Sequence, residues 1–92
     1  MGRNKKNNLL VLANLLELPD DIVLDLPRMT MLGNKQLLVE NHKGIIEYST
    51  VLVRIKLSQG TLIIHGEQLS LGNLQQEQIL VEGIIKLVQY DL

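Results

Sequence analysis

The chain has 92 residues, 46 % of them apolar, and its nine Lys and Arg stand against ten Asp and Glu for a formal net charge of −1. That length supports one hydrophobic core and a single domain, and the near-neutral balance leaves no field able to hold a phosphate backbone, so nucleic acid is not an expected partner. With no Phe, no Trp, only Tyr48 and Tyr90, and no Cys, the core must be Leu, Ile and Val; platforms for base stacking are lacking, and disulfides, thiolate metal sites and cysteine nucleophiles are excluded.

The amino terminus carries Arg3, Lys5 and Lys6 ahead of an apolar run from Leu9 to Leu16. The run imitates a signal peptide, but Asn14 interrupts it and Glu17-Leu18-Pro19-Asp20 follows in place of small residues suited to cleavage. It is also shorter than the roughly 20 apolar residues that span a bilayer. It reads as a retained, non-spanning helix from about Leu9 to Glu17, capped by Asn7 or Asn8 and stopped by Pro19. Residues 1–18 are thus expected to form a basic tail and short apolar helix, and residues 19–92 a single β-rich domain. The first reading of the helix is that it covers one end of the β core; the second is that it docks on a membrane surface or a partner.

Beyond Pro19 the pattern changes to alternation and short aliphatic runs divided by turn residues, which predicts strands. Asp21 to Leu26 is read as a strand ended by Pro27, and Met29 to Leu32 as a second, with Gly33-Asn34 forming a two-residue hairpin turn to a strand from Gln36 to Asn41. After His42-Lys43-Gly44 come Ile45 to Tyr48 and Val51 to Leu57. Ser58-Gln59-Gly60 leads to Thr61–His65, Gly66-Glu67-Gln68 turns into Leu69–Leu71, and a polar loop around Gln75 to Gln78 precedes a last strand, Ile79 to Tyr90.

In that last strand strict alternation puts Ile79, Val81, Gly83, Ile85 and Leu87 on one face, with Leu80, Glu82, Ile84, Lys86, Val88 and Tyr90 on the other. The second face is mixed, which predicts coverage on both sides and points to self-association. The expected architecture is mainly β, a sandwich or roll of about seven to eight short, mostly antiparallel strands. A short parallel β-solenoid is the alternative, because glycines recur at positions 60, 66 and 72.

No motif carries catalysis. His42 with Glu40 and Glu47 could form a metal or acid–base site, but only two histidines are present, at 42 and 65, and neither HExxH nor His-x-His spacing occurs. His42 is better read as a turn residue bonding backbone, and His65 as a strand-end residue. Ser49 and Thr50 lack a nearby base, Asp20, Asp21 and Asp25 form no dyad, and Gly66, Gly72 and Gly83 match no nucleotide loop. Lys35, Lys43, Arg54 and Lys56 interleave with acidic residues as a solvated face does. Catalytic, cofactor and metal residues are therefore expected to be none. The candidate partner-binding residues are Leu9, Leu12 and Leu16 on the helix and Ile84, Val88 and Tyr90 on the last strand.

The stretch Leu16-Glu17-Leu18-Pro19-Asp20-Asp21-Ile22-Val23-Leu24-Asp25-Leu26-Pro27-Arg28, with Glu40-Asn41-His42-Lys43-Gly44, Gly60 to Gly66 and Glu77 to Gly83, resembles the YabP/YqfC family of bacterial sporulation proteins, its YqfC branch in particular. The resemblance runs from residue 16 through nearly all of the chain. It implies a protein made during endospore formation, with no enzymatic activity, no cofactor and a membrane-associated sporulation partner. Such a protein would be cytoplasmic or peripheral to a membrane of the sporulating cell. The expected function is a non-enzymatic assembly or adaptor module that binds protein partners, itself included. The alternatives are a small ligand-binding protein or enzyme with a pocket near His42, and a peripheral membrane protein attached through the N-terminal helix.

Overall fold

The computed structural model describes residues 25–92, the side chains of residues 73 and 74 excepted. Within them lie six strands: β1 (Arg28–Leu32), β2 (Gln36–Glu40), β3 (Gly44–Tyr48), β4 (Leu52–Lys56), β5 (Thr61–Gln75) and β6 (Gln78–Asp91). They form one sheet in the order β1-β2-β6-β5-β4-β3, and every pairing is antiparallel. Antiparallel pairing throughout rules out the parallel solenoid. Six strands lie among the described residues where seven to eight were expected, because the expected strands Thr61–His65 and Leu69–Leu71 are one, β5, and most of the expected strand from Asp21 lies outside the described residues.

Local pattern explains the short strands. Leu37 and Val39 in β2, and Val53 and Ile55 in β4, are buried at alternate positions, while Arg54 and Lys56 face outward. Pro27, which has no N–H to give a ladder, stands just before β1. The β1–β2 connection takes three residues, Gly33 to Lys35, rather than two, and Lys35 N donates to Leu32 O at 3.2 Å.

The long hairpin β5–β6 bends the sheet. Leu87 pairs with His65 but Ile85 with Gly66, so β6 carries one extra residue there; Ile84 pairs with Glu67 but Glu82 with Ser70, so β5 carries one near Gln68, whose φ is +53°. Each bulge reverses which face the following residues occupy. Leu62, Ile64 and Leu69 point inward on β5, and Ile79, Val81, Ile85 and then Val88 on β6. Gly66-Glu67-Gln68 is accordingly a bulge inside one strand and not a turn between two. The alternation assumed for the last strand also fails beyond Ile85: Leu87 is exposed, while Val88 packs on the core.

Two hairpin tips dock at the bend. Asn34 O and Lys35 O accept from Ile85 N (2.8 Å) and Gly83 N (3.1 Å), and Thr50 O and Val51 O accept from Leu69 N (2.8 Å) and Gly66 N (3.1 Å). The bulges displace these N–H groups from the ladder, and the tips supply the acceptors that buried backbone needs. At the crossing, Gly83 has φ +138°, and a Cβ there would lie 2.6 Å from Gln68 O; one on Gly66 would overlap Ile84 O.

Bent in this way, the sheet closes on its own inner face. Leu37 and Val39 of β2 share one cluster with Val53 and Ile55 of β4, with two strands, β6 and β5, between them in the sheet, and all four are fully shielded. A flat single sheet leaves both faces open; among the described residues it is the folding of the two halves together that shields these side chains. Contacts between non-neighbouring strands mark the closure: Tyr90 Oη reaches Met29 Sδ at 3.6 Å, and Tyr48 Oη donates to Leu69 O at 3.2 Å. The expected strand from Asp21 is not seen where the described residues begin, since Asp25 to Pro27 are outside any strand. Its first four residues, and the expected helix from Leu9 to Glu17, lie outside the described residues.

Candidate functional site

At one end of the folded sheet, polar side chains tie the entry to β1 to the β2–β3 crossover and the β5–β6 turn. Asp25, Asn41 and Glu77 adopt positive φ (52°, 61° and 62°), which short polar side chains and turn positions tolerate best. Asn41 Nδ2 donates to Asp25 Oδ1 and to Leu26 O, both at 3.1 Å, and Ser58 Oγ donates to Asp25 O at 2.8 Å. Lys43 Nζ lies 2.9 Å from Asp25 Oδ1 and 3.6 Å from Glu77 Oε2, and His42 N donates to Glu77 O at 3.3 Å.

This network sets the local charge states. The hydrogen bond from Lys43, then that from Asn41, holds the Asp25 carboxyl below its ordinary range, and the same contact with Asp25 raises the Lys43 ammonium. Partial burial lowers His42, opposed by the charge of Glu77. For both Asp25 and His42 the unfolded chain binds the proton more readily than the folded one, so their contributions to stability are complete above their unfolded pKa values and fade as pH falls. Thermal unfolding followed from neutral pH downward is expected to show stability falling first below about pH 6.5, as His42 protonates, and again through the carboxylate range. Asp25→Asn is expected to flatten the second fall and to leave the first.

The residues singled out for chemistry do not converge. His42 Nδ1 accepts from Gly44 N at 3.0 Å, Glu40 accepts from Gln78 Nε2 at 3.4 Å, and Glu47 pairs with Arg54 at 3.5 Å on the outer face of the other half of the sheet. Ser49 Oγ accepts from Val51 N and Leu52 N at 3.3 and 3.0 Å and so shapes the β3–β4 turn. His65 is mid-strand and exposed, beside the bulge, and not at a strand end. Among the described residues no group of three or more His, Asp or Glu is placed to hold a metal.

A groove of about 650 Å³ opens beside the polar network, with apolar walls from Leu26, Pro27, Leu57, Tyr90 and Leu92 and polar ones from Asp25, Ser58 and Gln59. Its one carboxylate is held ionised by Lys43, whereas a general acid–base needs a pKa near the working pH.

Apolar side chains also lie exposed at the sheet's margins. On β3, an edge strand, Ile46 is 48 % exposed and Ile45 and Tyr48 are exposed beside it, with Val51 in the next turn. On the opposite margin Met31 and Leu32 of β1 are exposed, and Leu87 and Tyr90 on the part of β6 that β2 leaves unpaired. Of the candidate partner-binding residues, Ile84 is half-buried at the bend, Val88 packs against the core and Tyr90 is 53 % exposed in the groove, so the three do not form one surface. Leu9, Leu12 and Leu16 lie outside the described residues. The sequence reading missed the β3 margin and the Asp25–Asn41–Ser58 contacts; Asn41, a turn former three residues before Gly44, was the available signal. No helix among the described residues is long and apolar enough to cross a membrane.

A model of the YabP family matches residues 25–92. In Bacillus subtilis (strain 168), the protein called "Uncharacterized protein YqfC" is 40 % identical over 90 residues, which cover 98 % of this chain and 97 % of that protein. No solved structure matches the chain.

Proposed function

This chain belongs to the YabP/YqfC family, and from that premise we propose that it acts without catalysis in endospore formation, as an assembly or adaptor module that pairs with protein through the β3 edge. The supporting observation is that edge: among the described residues β3 is a terminal strand, which offers unpaired backbone groups, and Ile45, Ile46 and Tyr48 present apolar surface beside them. Edges that must stay free usually carry charge, proline or a bulge; β3 carries Glu47, already engaged by Arg54, and a bulge at Ile46 that leaves its apolar side chain 48 % exposed. Addition of a strand from another chain would satisfy the backbone and cover the apolar side chains together. The partners are a second copy of the chain and a membrane-associated sporulation protein, with any membrane contact peripheral.

Light scattering over a concentration series tests the first partner. The native chain is expected to exceed the monomer mass as concentration rises, and Ile46→Lys to remain monomeric with its stability changed by no more than about 0.5 kcal/mol, as for an exposed site. In an endospore-forming host, the same substitution is expected to lower the yield of heat-resistant spores. A native chain that stays monomeric throughout, together with unchanged spore yield in the variant, would sink the proposal.

A further inference from the structure

The crossover from β2 to β3 passes through Asn41 at φ 61° and enters the strand at Gly44, φ 139°, and in this turn a side chain comes back onto its own backbone. Lys43 N donates to Lys56 O of β4 at 2.7 Å, whereas the next amide, Gly44 N, donates to His42 Nδ1 at 3.0 Å. A ring nitrogen that accepts carries no proton, so the imidazole is neutral, with its proton on Nε2. Protonation sets a second donor opposite the Gly44 N–H, and the bond is lost.

We propose that His42 is a proton-operated latch for the start of β3. Neutral, it holds the Gly44 amide and closes the crossover; protonated, it lets residues 41–44 open while the rest of the sheet stays folded. The opening is local because the buried core of the described residues takes nothing from β3, whose Ile45, Ile46 and Tyr48 are exposed. An edge element with so little buried surface opens at less cost than the whole domain. The charged groups on the elements that meet at the crossover are Glu77 of the β5–β6 turn, whose carbonyl accepts from His42 N, Lys43 beside the histidine, Asp25 ahead of β1, Glu40 at the end of β2, and Lys56 of β4, paired with Gly44. Lys43 lies 2.9 Å from Asp25 and 3.6 Å from Glu77. Its bond with Asp25 lowers that carboxyl and raises the ammonium, so this pair stays ionised where a histidine titrates. Burial favours the neutral ring and the charge of Glu77 opposes it. The folded chain therefore gives up the closed crossover as pH falls, not as it rises. The latch belongs to the chain alone and stands whether or not β3 pairs with another strand.

Amide exchange with water, followed by NMR on the full ¹⁵N-labelled chain and corrected for the intrinsic rate at each pH, tests the latch. Between about pH 7.5 and the pH at which the His42 ring signals reach their protonated limit, protection of the Gly44 amide is expected to fall about tenfold, as the loss of one hydrogen bond allows. Protection of Leu62 and Ile64, both fully buried, is expected to hold. His42→Asn is the decisive variant: asparagine accepts from the amide two residues on but does not titrate, so Gly44 should stay protected at both pH values. His42→Ala offers no acceptor and should leave Gly44 unprotected at both. The proposal is overturned if protection of Gly44 in the native chain is unchanged once the ring has titrated, if His42→Asn loses it as the native chain does, if His42→Ala keeps it, or if the core amides lose protection equally. Repeating the series with Ile46→Lys is expected to give the same result; a fall in Gly44 protection that disappears there would assign it to pairing at β3 and would also overturn the latch.

Discussion

Gly66→Ala is expected to cost the chain about 3 kcal/mol or more, the upper end of what overpacking a closed site exacts, and so a large share of a stability that for a small domain is about 5–15 kcal/mol. The new Cβ would overlap the carbonyl of Ile84 and lie 2.9 Å from Leu69 Cδ2. Neither neighbour can yield easily. Ile84 is on the opposite strand of the bent hairpin, beside Gly83 and Ile85, whose N–H groups are tied to the β1–β2 turn, and Leu69 is 1 % exposed in the core. Gly83→Ala is expected to be comparably harmful, because φ +138° is strained for any L residue and Gln68 O stands 2.6 Å from the Cβ. Gly72 is the control: its nearest neighbour, Leu80 Cβ, is 3.8 Å away, an ordinary contact, and its backbone is unstrained. Gly72→Ala should stay within about 0.5 kcal/mol of the native chain. Urea midpoints of the three variants, read against a common slope, check the order.

Leu62→Ala is expected to cost about 2–5 kcal/mol, the range for a fully enclosed leucine whose cavity cannot collapse. Leu62 is 0 % exposed and sits between β4 and β6, paired with Ile55 and Tyr90. Leu87→Ala, by contrast, is expected to change stability by no more than about 0.5 kcal/mol, as at other exposed positions, because Leu87 remains 46 % exposed. Strict alternation along the last strand predicts otherwise, placing Leu87 with Ile85 on the inner face and Val88 outside. The bulge at Lys86 reverses them, so Val88→Ala should cost more than Leu87→Ala. Equilibrium unfolding of the three variants would therefore test the register of the hairpin directly, and a Leu87→Ala loss equal to that of Leu62→Ala would show the bulge to be misplaced.

The two sets of substitutions probe one physical feature. A bulge is a small local irregularity, but in a sheet with a period of two it decides which face every later side chain occupies. Near Gln68 and Lys86 it also releases N–H groups that the hairpin tips must satisfy, and it brings Gly66 and Gly83 against backbone where no side chain fits. The bend, the closed core and the groove beneath Tyr90 all depend on it.

Much of this protein can be read from its residues taken in order. Alternation in Gln36–Glu40 and Leu52–Lys56, and the turn residues at Gly33, Gly44 and Gly60, locate most strands to within a residue or two, because burial on one face of a short strand needs only local pattern. The stretches around Pro27 and Asn41 point to the family that the comparisons show. What the sequence left open was decided by contacts between residues far apart in the chain. That Gly66-Glu67-Gln68 continues a strand rather than turning depends on a partner strand starting at Gln78 to hold it extended. That Val88 is inside and Leu87 outside depends on how two 14- and 15-residue strands register across a bulge. That Asp25, Asn41, Lys43, Ser58 and Glu77 meet depends on the sheet having folded over, since no spacing along the chain brings position 25 to position 58. Local chemistry specifies strands and turns; which of them face each other follows from burying one aliphatic face of the single sheet that the described residues form.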